Sequence, residues 1–171
     1  ADERKLRISY ESRASAKAFD IQITEFKSIG SIKIKEINVK YFEVDHKPVK
    51  YAYGFCFTKK NKKLTISGDT RPCENLMKYA QSSDVLLHEV FIEGEILNTN
   101  KMRTKKTLHN VQSYHTTSSQ VGKVAFIARA KKLVLTHFVP TNFNKNNLKK
   151  VVKKDFGKDP IIGEDLMKIK I

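Results

Sequence analysis

The chain has 171 residues, of which 40% are hydrophobic, so one globular domain with a sizeable core is expected. Lys and Arg (33) outnumber Asp and Glu (18), and the net charge of +15 attracts polyanions such as nucleic acid, although lysines scattered through the chain equally describe a solvated surface. No run of about 18 apolar residues is present, so no membrane-spanning helix is expected, and the opening ADERKLRISY is not a secretory signal.

The first thirty residues mix both periodicities and end in a turn at Ser28-Ile29-Gly30-Ser31. Alternation at Ile32, Ile34, Ile37, Val39 and Tyr41 predicts strands with one buried face, ending near Asp45-His46. A strand from Tyr53 to Thr58 turns at Lys59–Lys63 into Leu64-Thr65-Ile66, which feeds the loop Ser67-Gly68-Asp69-Thr70-Arg71-Pro72. Leu76, Met77 and Ala80 predict a helix from Glu74 to Ala80. The continuously apolar Val85-Leu86-Leu87 reads as a buried parallel strand. Residues 92–113 show no clear period and are expected to form a long irregular segment beside the site.

Thr116 or Thr117 is suited to cap a helix bearing Val121, Val124, Ala125 and Ala128 on one face, with Lys131-Lys132 at its C-terminal end. Leu133-Val134-Leu135 is a further buried strand ending at Thr136-His137. A helix over about residues 146–154 and a terminal strand from Met167 to Ile171 complete the chain. The order predicts a mixed α/β sheet covered by helices, with functional groups at the carboxyl ends of its strands. Cys56 and Cys73 lack paired spacing and read as reduced thiols, which favours the cytoplasm; a periplasmic or secreted location stays open because the chain begins at Ala1.

Asp69, His88-Glu89 and His137 each follow a predicted strand, and His46 ends a fourth, so one end of the sheet gathers imidazoles and carboxylates that divalent ions accept. Singly, each has a structural alternative. His46 suits a turn, His88 a core position bonded to a carbonyl, and Asp69 a helix N-cap. No nucleophile elbow G-x-S-x-G is present.

Taken together, Ser67-Gly68-Asp69-Thr70-Arg71-Pro72, Leu87-His88-Glu89, Tyr114-His115-Thr116-Thr117 and Leu135-Thr136-His137-Phe138 closely resemble the second half of ribonuclease Z and its arylsulfatase-like relatives in the metallo-β-lactamase superfamily. Val44-Asp45-His46-Lys47-Pro48-Val49, followed by Ala52-Tyr53-Gly54-Phe55, is similar to the segment bearing that family's third metal histidine. The resemblance covers roughly residues 30–171 and implies an αββα sandwich of which this chain supplies the second half. It implies two divalent metal ions, zinc first and manganese or iron as alternatives, with His46 on one ion, His137 on the other and Asp69 bridging. It further implies that His115 assists proton transfer to the leaving oxygen, that Glu89 orients His115 or a metal ligand, and that Arg71, Thr116 and Thr117 contact substrate. His88 has no firm place in the pattern, and His109 is assigned to the surface.

The sequence departs from the family in two respects. The family's His-x-His-x-Asp-His run is absent, and the five histidines stand isolated at 46, 88, 109, 115 and 137. With three residues for two ions, this chain alone is expected to be inactive. Three explanations compete: a fragment whose N-terminal half, in cis or in trans, was removed or is supplied as another polypeptide; a degenerate non-catalytic relative; or a misleading resemblance; a non-catalytic nucleic-acid-binding half acting with a partner is the alternative of another class. Intact late motifs favour the first. The flexible arm with which many ribonucleases Z grip transfer RNA is also absent between Phe55 and Ser67. Expected substrates are therefore a transfer-RNA precursor or, as the runner-up, a sulfate or other small ester; the resemblance also suggests a homodimer.

Overall fold

The computed structural model describes residues 23–25, 28–94 and 105–171. One seven-stranded sheet runs in chain order: β1 (Gly30–Ile34), β2 (Ile37–Glu43), β3 (Tyr53–Lys59), β4 (Lys62–Ile66), β5 (Val85–Phe91), β6 (Lys132–Val139) and β7 (Ile161–Ile162). β1 to β4 are antiparallel neighbours, and a two-residue turn at Lys60-Asn61 joins β3 to β4. β4 to β7 are parallel, and parallel neighbours need crossovers. These carry α1 (Glu74–Tyr79), then α2 (Lys105–Gln112) and α3 (Ser118–Ile127), then α4 (Lys145–Phe156).

One sheet face is sealed by helices. Phe42, Cys56, Leu86, Val90, Leu133 and Leu135 meet Leu76, Val121, Val124, Leu148, Val152 and Phe156 in a single core. Burying each of the larger side chains contributes about 1.5–3 kcal/mol. α3 and α4 pack closely enough that a Cβ on Gly122 would strike the carbonyl of Val152. The opposite sheet face carries two cross-strand apolar rows, Phe55, Ile66, Leu87 and Val134, and Phe57, Leu64 and Val85. Val85 and Val134 are buried there, but Phe55, Phe57, Leu64, Ile66 and Leu87 stay partly exposed.

Several sequence expectations need correction. β5 continues through His88 and Glu89 to Phe91, because its ladder to β6 runs on to Val139 and keeps those buried amides paired. Residues 105–112 are helical rather than irregular; only Leu108 and Val111 among them are apolar, too few to mark a stripe. Residues 95–104 of that segment, and the opening 22 residues, lie outside the described ones. Met167–Ile171 is not a strand, and the last ladder is Ile161–Ile162 beside Val134 and Leu135. Lys131 and Lys132 lie past the end of α3. The Lys131 ammonium instead bonds Asp84 at 2.9 Å, which, with the Lys63 amide, holds the Asp84 carboxyl below its ordinary value. No helix among the described residues is long and apolar enough to cross a membrane.

Candidate metal centre

Gly68 shapes the loop after β4. Its φ of +63° is open to glycine, and a Cβ there would collide with the Tyr53 carbonyl oxygen, so a side chain at this position would displace Asp69. The next two residues tie this loop to the His46 loop. The Arg71 amide and the Thr70 hydroxyl both donate to the Asp45 carbonyl, at 2.9 and 3.2 Å, and the Arg71 guanidinium donates to the Lys47 carbonyl at 3.0 Å. Asp69 is therefore held within a braced loop; the N-cap position of α1 belongs to Cys73.

His137 reaches the site through an irregularity that alternation does not reveal. Leu133 and Leu135 face the helix core, so regular pairing would send His137 there as well. Instead Glu89 pairs with Thr136 and Val90 with Phe138, leaving His137 as the extra residue of a β-bulge with φ of +45°. The bulge re-aims the imidazole out of the core. Its Nε2 stands 3.6 Å from Asp69 Oδ2, with half of the side chain exposed.

His115 completes the group: single ligand atoms of Asp69, His115 and His137 lie within 4.8 Å of one another. The His115 and His137 rings stack with centroids 5.8 Å apart. Behind His115 sits Glu89, 1% exposed, whose Oε1 accepts the amides of Thr70 (3.2 Å) and Thr116 (2.9 Å). His115 Nδ1 is 3.1 Å from the same oxygen, an ion-pair distance, but the approach lacks hydrogen-bond alignment. Both His115 Nδ1 and Glu89 Oε2 are buried without a hydrogen-bond partner. Thr116 is fully buried, with its hydroxyl donated to the Thr70 carbonyl at 2.6 Å, while Thr117 is the N-cap of α3.

His46 stands beside this group. Its ring centroid is 5.1 Å from that of His115, and its Nδ1–H donates to the Tyr114 carbonyl at 2.8 Å, which fixes the tautomer and frees Nε2 as a ligand atom. His88 is separate. It points into the helix core with Leu86 and Val90, fully buried, its Nδ1 bonded to the Glu89 carbonyl at 2.8 Å and its Nε2 unpartnered. Burial pushes its pKa below the ordinary 6.5. Strand parity separates His88 from Glu89, and the family pattern supplied that distinction only for Glu89.

Two imidazoles and a carboxylate converging from three segments, with a third imidazole alongside, form a nitrogen and oxygen donor set suited to divalent ions. No family model matches the chain. It is 27% identical over 138 residues to the ribonuclease Z of Mycolicibacterium gilvum, covering 80% of this chain and 47% of that one. It is 42% identical over 80 residues to the ribonuclease Z of Bacillus licheniformis, covering 46% of this chain and 22% of the other. A metallo-β-lactamase-fold protein from Bacillus subtilis superposes with a TM-score of 0.65 at 20% identity, over 81% of this chain and 52% of that one. The short form of human tRNase Z gives 0.53 at 23% identity, over 82% and 44%. The fold is that of metallo-β-lactamase-fold proteins, and on it the cluster presents a donor set that a divalent ion could occupy. In sequence the chain is similar to ribonucleases Z. The chain spans about half the length of the relatives that it matches along most of its own length, 47% and 52% for two mycobacterial ribonucleases Z.

Proposed function

We propose that this chain is the C-terminal part of a single metallo-β-lactamase domain, and that the complete protein is a metal-dependent phosphodiesterase that trims transfer-RNA precursors at their 3′ ends in the cytoplasm. The observation that carries the reading is the Asp69, His115 and His137 cluster with Glu89 buried behind it. The part-exposed rows of the second sheet face offer the surface on which the other half, bearing His-x-His-x-Asp-His in cis or in trans, would pack.

In this reading His46, Asp69 and His137 hold the two ions, with further ligands from the other half. When bound, these ions supply Lewis-acid polarisation of the phosphoryl oxygens and acidify water. His115 donates a proton from its cluster-facing nitrogen to the departing ribose oxygen. Glu89, anchored by two backbone amides, faces the other nitrogen and orients the ring. Thr116 fastens that arrangement to the Asp69 loop through the Thr70 carbonyl. The charge of +15 supports a polyanionic substrate over a small ester.

The test is cleavage of a precursor transfer RNA by the complete protein with Zn²⁺ or Mn²⁺, alongside bis(p-nitrophenyl) phosphate and an aryl sulfate. Phosphodiester cleavage that falls at least 100-fold in His115→Ala is expected. Faster turnover of the sulfate than of either diester would overturn the substrate, and an inactive complete protein would overturn the reading.

A further inference from the structure

We propose that the cleft between α2, the Arg71-Pro72 loop and the start of α3 is a subsite for the phosphate of a nucleotide flanking the cleaved bond, with His109, Gln112 and Gln120 as its donors. The inference rests on the phosphodiester reading above and adds to it where the neighbouring nucleotide is held.

The cleft measures about 410 Å³, within the range that accommodates small ligands or part of a larger one. His115 belongs both to its lining and to the Asp69–His137 cluster, so a group in the cleft sits one side chain from the reacting atoms. His109 and Gln112 are spaced i, i+3 on α2 and thus share the helix face that lines the cleft. Neither side chain has a hydrogen-bond partner among the described residues. Gln120 commits its oxygen to the Thr117 amide at 3.1 Å, which leaves its NH₂ group as a donor. The Arg71 guanidinium also lines the cleft, its charge shared with Asp45 at 3.6 Å and one of its donors committed to the Lys47 carbonyl.

Among the described residues no carboxylate lines this cleft, and that decides between it and its neighbour. The cleft beside the His46 loop, about 580 Å³, sets three carboxylates, Glu43, Asp45 and Glu74, against two lysines, Lys47 and Lys50, and is the less favourable seat for a phosphate. The terminus of α3 is not the anion seat, because Glu93 already accepts the Ser119 amide there at 3.1 Å. The side-chain donors are what remain for an anion, and in an RNA strand the anion next to the scissile diester is the adjoining phosphate.

The His109→Ala/Gln112→Ala double variant tests this, in the complete protein. His109 is exposed and Gln112 half-buried, and circular dichroism confirms folding. In EDTA, fluorescence anisotropy with a labelled pentaribonucleotide should show Kd raised about tenfold. With metal restored, KM for the pentaribonucleotide should rise about tenfold, at least five times the change for bis(p-nitrophenyl) phosphate, which has no flanking phosphate. Equal changes for the two substrates, an unchanged Kd, or equally tight binding of a polyglutamate peptide by the unaltered protein would overturn the subsite. Failure of the unaltered protein to cleave either diester would instead strike the underlying reading, and the subsite with it.

Discussion

Glu89 offers a prediction that separates support from chemistry. Its Oε1 accepts the amides of Thr70 and Thr116, both residues at 0% exposure, so Glu89→Ala leaves two buried donors without a partner. Each such orphan costs about 1–3 kcal/mol, and the variant should lose about 2–6 kcal/mol relative to Glu89→Gln, whose side-chain oxygen still serves both amides. Much of a domain's net stability of about 5–15 kcal/mol is then at stake. Glu89→Gln, however, removes the negative charge facing His115 and should lower kcat of the complete protein about 10- to 100-fold, the scale typical of a carboxylate that orients a functional histidine. Urea denaturation followed by circular dichroism reads the first quantity, and diester turnover reads the second. Equal stability of the two variants would refute the assigned role in bracing the loops. Full activity in Glu89→Gln would refute the role toward His115.

Gly68→Ala should both strain the backbone and strike the Tyr53 carbonyl; a loss of about 1–3 kcal/mol in the urea midpoint is expected, together with weaker metal binding through displacement of Asp69, and an unaffected metal affinity would count against the loop argument. For His88, burial lowers the folded-state pKa below the 6.5 of the unfolded chain. The unfolded state then binds the extra proton, so the stability His88 confers is complete above pH 6.5 and falls with decreasing pH by about 1.4 kcal/mol per unit until the folded pKa is reached. His88→Leu should remove that slope from urea midpoints measured between pH 7 and 5, and identical slopes in the two proteins would show that the buried imidazole does not govern it.

Much of the sheet was legible because period-two alternation and short apolar runs are strong signals: Ile32, Ile34, Ile37, Val39 and Tyr41, Leu64 to Ile66 and Leu133 to Leu135 all lie in strands, although the expected buried face fails at Ile32, Ile34 and Ile37, which are exposed at the open edge of the sheet. Thr117 as the cap of α3 was legible for a comparable reason, the chemistry of the first turn, with Gln120 reaching back to it. α2 was not, because a short helix with few apolar residues carries no stripe, and its two cleft-lining residues, His109 and Gln112, were therefore missed. At the site, residue types at strand ends pointed to Asp69 and His137, but no local pattern announces that His137 leaves the core through a bulge. The closeness of His115 to Asp69 and His137 depends on contacts between residues 46 positions apart, such as Thr116 with Thr70, which only the folded chain brings together. Likewise, the sequence motif joins His88 to Glu89, whereas strand parity sends one into the apolar core and the other to the site.

The most direct test of the central claim is a zinc titration of the 171-residue chain by calorimetry, beside Asp69→Asn and His137→Ala. Weak binding is expected, well short of that of a complete four-ligand site, and either substitution should abolish it. Zinc binding of the same strength in both variants would contradict it, because the ion would then be held somewhere other than the cluster that Asp69 and His137 form.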